Sequence, residues 1–170
     1  MRAGAGRYLP QRPFPPYAFL PGRDPHPTSD PRGHSYSEQA QPPALWLPPE
    51  RWRENADYLF GCDLYNAGFL WEAHEAWEGL WHAARHDRDQ AELLQGLIQC
   101  AAACLKLRMQ QPRGLERLSE LGTARLERVA LQRGAHFMGL DLAAFVRDFR
   151  AFSAADPHSP DGRPPIVLEA

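Results

Sequence analysis

Trp71-Glu72-Ala73-His74-Glu75-Ala76-Trp77-Glu78-Gly79-Leu80-Trp81 sets three tryptophans, three carboxylates and a histidine on about three turns of helix. Tryptophan draws such a helix into a core, whereas a carboxylate resists burial unless it is paired or hydrogen-bonded. On a helical wheel Phe69, Leu70, Ala73, Ala76, Trp77, Leu80, Trp81 and Ala84 form a broad apolar face. His74, Glu78 and His82 run along one flank at i, i+4 steps, with Glu75 and Trp71 in the same strip. Glu72 sits apart, at the far edge of the apolar face.

Working outward, helical periodicity continues on both sides. A first helix is expected over about Pro49–Asn66, the quoted helix over about Phe69–Arg85, and a third over about Gln90–Gln110. Asp87 or Asp89 caps the third. Pro112 opens a fourth, reaching about Gln132, and Asp141 caps a fifth carrying Leu142, Phe145, Val146 and Phe149. No segment alternates long enough to be a strand. Short connections favour antiparallel neighbours, so the fold class is all-α, a compact antiparallel bundle or array of about five helices.

Twelve of the 17 prolines fall before residue 50. Proline forbids helix interiors, so residues 1–48 form an extended Pro-rich arm. Tyr8, Phe14, Tyr17, Phe19, Tyr36 and Trp46 give this arm side chains that disordered segments lack, and it is expected to lie on the globular part. Residues 49–155 then form the helical domain and 156–170 a C-terminal tail. The extremes, residues 1–6 and 158–170, are expected to be loose.

The formal charge is -2 and the isoelectric point about 6.4, without the basic footprint of a nucleic-acid binder. The longest apolar run, Cys100–Leu105, is too short for a membrane span, and Met1–Pro10 carries no apolar signal region. Cys62, Cys100 and Cys104 lack a disulfide rhythm and read as small core residues. A soluble, cytoplasmic protein is expected.

The third helix carries its own polar strip: Glu92, Gln95, Gln99, Ala102, Ala103 and Lys106. If the two strips face each other, Gln95, Gln99 and Lys106 satisfy the carboxylates of the quoted helix in a sheltered cleft. Glu75 or Glu78 is then the candidate base and His74 the candidate acid. Glu72, Gln95, Gln99, Lys106, His34 and His26 are the candidate ligand-binding residues. His74-Glu75-x-x-Glu78 is also one residue away from the H-E-x-x-H pattern of zinc hydrolases, with His74 and Glu78 as ligands and Glu75 activating water. The arm stretch from His26 to His34 could complete such a shell. No cofactor is indicated otherwise, and a divalent metal is the minor alternative.

Asp63 to Glu78, followed by Leu94-Gln95-Gly96-Leu97-Ile98-Gln99-Cys100-Ala101-Ala102, resembles the bacterial and archaeal family called domain of unknown function 309. The arm, through Phe19-Leu20-Pro21-Gly22-Arg23-Asp24-Pro25-His26-Pro27 and Asp30-Pro31-Arg32-Gly33-His34-Ser35, resembles a subgroup of it. The resemblance implies a compact all-helical domain and no established activity. Its hallmark positions fall on Asn66, Gly68, Glu72, His74, Glu75, Glu78, Gln95, Gly96, Gln99 and Ala102. Many relatives have histidine where this chain has Lys106, which favours a carboxylate–lysine pair over a metal here. Three functions compete: a cleft for a small polar ligand or acid/base chemistry, a protein-interaction module, and a purely structural polar network. The module is suggested by Leu64–Phe69 with Ala73, which has a tetratricopeptide flavour. A second copy of the chain is compatible with each.

Overall fold

The structure, a computed structural model, describes residues 6–37 and 42–169. Five helices follow one another: α1 (Ala56–Ala67), α2 (Leu70–Ala83), α3 (Arg88–Arg108), α4 (Pro112–Arg133) and α5 (Leu142–Ala154). Each packs against its predecessor, α1 on α2, α2 on α3, α3 on α4 and α4 on α5. The fold is all-α. Among the described residues no helix is long and apolar enough to cross a membrane.

The expected first helix is in fact two pieces. Pro49–Glu54 is 3-10, the chain extends at Asn55 (ψ 93°), and α1 begins only after it. The Asn55 side chain accepts the Tyr58 N–H at 3.1 Å, and this cap competes with helix continuation. Asp87 caps α3 by accepting from Gln90, and Asp141 caps α5 by accepting from Ala144. A two-residue hairpin, β1 (His136–Phe137) and β2 (Leu140–Asp141), turns through Met138 and Gly139, both at positive φ. Positive φ at both central residues is the hairpin geometry that matches strand twist. Strands of two residues are too short to show alternation in a sequence.

Trp77, Tyr58, Tyr65, Leu64, Leu80, Leu93, Leu94, Leu97, Leu126 and Phe149 are buried almost completely. Each such large side chain contributes about 1.5–3 kcal/mol by leaving water. The tightest contact is between α3 and α4. A Cβ on Gly122 would lie 2.9 Å from the Gly96 carbonyl oxygen, so glycine lets the two backbones touch.

The C-terminal segment is not loose, contrary to the sequence expectation. Ile166 is fully buried, and the Asn66 side-chain amide bonds both its N–H and its C=O at 2.8 Å. Leu168 bridges to Leu140 and donates to the Tyr8 hydroxyl at 2.8 Å. One asparagine amide replaces a strand partner, which tail composition does not reveal. Of the expected loose N-terminus, residues 1–5 lie outside the described residues.

The Pro-rich segment lies against α1, α2 and α3. The Asp63 carboxylate accepts the Tyr8 and Leu9 N–H groups, each at 2.8 Å. Phe14 stacks on Phe69 at 5.0 Å. Gln90 is buried and accepts from the Trp46 indole while donating to the Leu47 carbonyl.

Candidate functional site

The outer flank of α2 and the arm make the most chemically loaded place in the molecule. Glu72 is buried, its side chain 5% exposed. Its Oε1 accepts the Phe19 N–H at 2.8 Å and lies 3.1 Å from His34 Nε2. His34 is fixed from its other side, with Nδ1 2.8 Å from the Ser35 hydroxyl. Its backbone N–H donates to the Tyr17 hydroxyl, which in turn donates to the Pro25 carbonyl. Glu72 Oε2 is buried with no hydrogen-bond partner among the described residues. An unsatisfied carboxylate oxygen costs free energy in a dry site, so it is a point where a donor would be welcome.

His26 arrives beside it. Its ring sits 5.6 Å from Trp71 and 5.2 Å from Phe19, and Phe19 lies edge-on to Trp71 at 5.1 Å. His26 Nδ1 accepts from the Thr28 and Ser29 backbone N–H groups at 3.4 and 3.3 Å. A nitrogen that accepts in this way is unprotonated, which leaves Nε2 to carry the proton of the neutral ring.

His74, Glu75 and Glu78 occupy the wetter part of the flank. His74 Nδ1 is 3.4 Å from Glu75 Oε1, and its Nε2 is 3.7 Å from Glu78 Oε2. Side-chain exposures of 29%, 46% and 43% make this an open shelf rather than an enclosed cleft. One ligand atom from each of the three lies within 4.8 Å of the others, a spacing that one cation could bridge. Glu75 has its pKa raised. Desolvation is the main cause, and the charges of Glu78 and Glu72 push the same way while His74 and His26 oppose.

The polar strip of α3 is elsewhere. Gln99 accepts from Arg125 Nε at 3.1 Å, and Glu92 pairs with both Arg125 and Arg128, the latter at 2.8 Å. Lys106 runs over Gly114, where a Cβ would meet its Cγ at 2.8 Å. This strip therefore faces α4, and the expected cleft between the strips of α2 and α3 does not form. Gln95, on the same strip and half-buried, makes no hydrogen bond among the described residues. The reason is that α2 and α3 meet through leucines, alanines and Trp77 of the shared core, while α4 offers arginines to the acid and amide of α3.

The sequence groups His26, His34, Glu72, His74, Glu75 and Glu78 with Gln95, Gln99 and Lys106; the structure keeps the first six on the outer flank of α2 and the arm and turns Gln99 and Lys106 toward α4. Sequence reading missed Arg125 and Arg128 as partners of Glu92. Their three-residue spacing on α4 was the available signal. It also missed Tyr17 and Ser35, which carry no motif.

No curated protein and no solved structure matches the chain. Residues 58–118 match the family model described as domain of unknown function (DUF309), a span that starts in α1, contains all of α2 and α3 and ends in α4. Over that span the helical centre of the chain, with the His74–Glu75–Glu78 shelf at its surface, is similar to the DUF309 family.

Proposed function

We propose that this protein acts through the shelf formed by His74, Glu75 and Glu78 beside the arm, binding a small polar ligand with donor or cationic character or assisting proton transfer on it. Glu75 is the base, Glu78 its neighbour in charge, and His74 the acid. The observation that carries this reading is Glu75 itself: a carboxylate held partly out of water beside two further carboxylates, so that it keeps a proton more tightly than an ordinary glutamate. The unpartnered oxygen of Glu72 supports it from below. The large exposed apolar side chains are scattered, with Tyr36, Leu45 and Val167 on different segments and Leu121 and Leu131 ten residues apart on α4, which favours a small ligand over a docked protein. Three free, buried thiols fit a reducing, cytoplasmic setting.

A second reading has its own observation. The mutual approach of the His74, Glu75 and Glu78 ligand atoms suits a divalent cation of the zinc or manganese kind. The two readings separate experimentally. Thermal denaturation is followed with a primary alkylamine and with zinc chloride, in the wild type and in Glu75→Gln. An amine response present in the wild type and lost in the variant supports the first reading. One equivalent of zinc by elemental analysis after dialysis, lost in His74→Ala, supports the second. Identical responses of wild type and Glu75→Gln to every probe sink both.

A further inference from the structure

A second charged site lies at the corner between α1 and α2 and involves none of the residues above. Gly68 ends α1 at φ +88°. A Cβ built on it would sit 3.1 Å from Arg108 Nη2 and 3.9 Å from Arg163 Nη2, so two guanidinium groups flank one point in space. Part of each is used for capping. Arg108 Nη1 donates to the Gly68 carbonyl at 2.7 Å, and Arg163 donates to the carbonyls of Tyr65, Asn66 and Pro160. These bonds complement the negative end of α1, and capping alone would explain one arginine.

It does not explain the rest. Among the described residues no carboxylate oxygen comes within ion-pair distance of Arg108 or Arg163. Among the described residues Arg163 Nε is buried with no hydrogen-bond partner, and Arg108 Nε and Nη2 have none either. Arg108 has its pKa lowered, first by desolvation and then by the charge of Arg163, with Arg23 of the arm adding to the repulsion and Asp161 opposing it. Half-buried cations that repel each other and keep spare donors are balanced best by an anion between them.

We propose that Arg108 and Arg163 form a binding site for a phosphate group, either inorganic phosphate or the phosphate of a small phosphomonoester. A tetrahedral oxyanion offers several acceptors to two guanidinium forks at once, and Gly68 leaves the space between them free of a side chain.

The test uses the full chain at constant ionic strength set with chloride. Inorganic phosphate and glycerol phosphate are titrated in turn, with melting temperature and calorimetry as readouts. The wild type is expected to be stabilised by one or both over chloride. Arg108→Gln should weaken the affinity at least about tenfold, the loss of one charge-assisted contact. Should Arg108→Gln fold poorly, Arg108→Lys, which keeps the charge but loses the fork, is expected to weaken binding by a smaller factor. Tighter binding of glycerol phosphate assigns an esterified ligand, and tighter binding of inorganic phosphate the free ion. No stabilisation of the wild type by either probe, or equal stabilisation of wild type and arginine variants, overturns the proposal.

Discussion

Two polar strips sit on neighbouring helices, and their fates differ. On α3, Glu92 and Gln99 are taken up by Arg125 and Arg128 of α4, so the carboxylate is fully paired within the helix array. On α2, among the described residues, no other helix brings an arginine to Glu72, Glu75 or Glu78. Glu72 is satisfied on one oxygen only, by the arm, and Glu75 and Glu78 share a single histidine at the surface. Similar side chains thus make a structural clamp in one place and an unspent charge in the other. The unspent one is where a ligand has something to gain.

That contrast can be broken from the arm side first. Replacing Glu72 by Ala removes the acceptor of the buried Phe19 N–H and of His34. A loss of about 2–3 kcal/mol in unfolding free energy is expected, measured by denaturant titration, because a buried donor is left without a partner. A loss near zero would mean that the arm does not depend on this carboxylate.

On α3 the effect is smaller. Glu92→Ala should cost about 1 kcal/mol, since both arginine partners are partly exposed, and the difference from wild type should shrink as salt rises. A salt-independent loss would show that packing, not charge, is what Glu92 contributes.

Glu75→Gln gives the smallest effect and the sharpest contrast, because its sign depends on pH. The folded chain holds the Glu75 proton more tightly than the unfolded chain, so protonation favours folding. That contribution is complete below the ordinary value of 4.5 and is lost as pH rises through the raised folded value. At neutral pH the variant, which cannot ionise, should match or exceed the wild type, within about 0.5 kcal/mol because the side chain is half exposed. In acid the two should melt alike. A variant less stable at every pH would instead favour the purely structural network.

Much of this is legible in the sequence alone. The caps at Asp87 and Asp141, the opening of α4 at Pro112 and the burial of all three cysteines follow from side-chain chemistry that acts within one or two turns. The strip His74–Glu75–Glu78 is likewise a property of one helix, and 3.6 residues per turn suffices to place it. The break at Asn55 was harder, because helix and cap are both local options and the burial of Trp52 and Tyr58 accompanies the choice made.

The sequence by itself determined which residues share a helix face, since backbone hydrogen bonding sets that period whatever surrounds the helix. It could not determine which face meets which. The rotation of α3 toward α4, the docking of Ile166 on Asn66, the covering of Glu72 by the arm and the meeting of Arg108 with Arg163 were decided only in three dimensions. They join residues between 26 and 100 positions apart, or helices whose contact follows the bulk of leucine, glycine and tryptophan in the core, and no periodicity encodes that sum of packing.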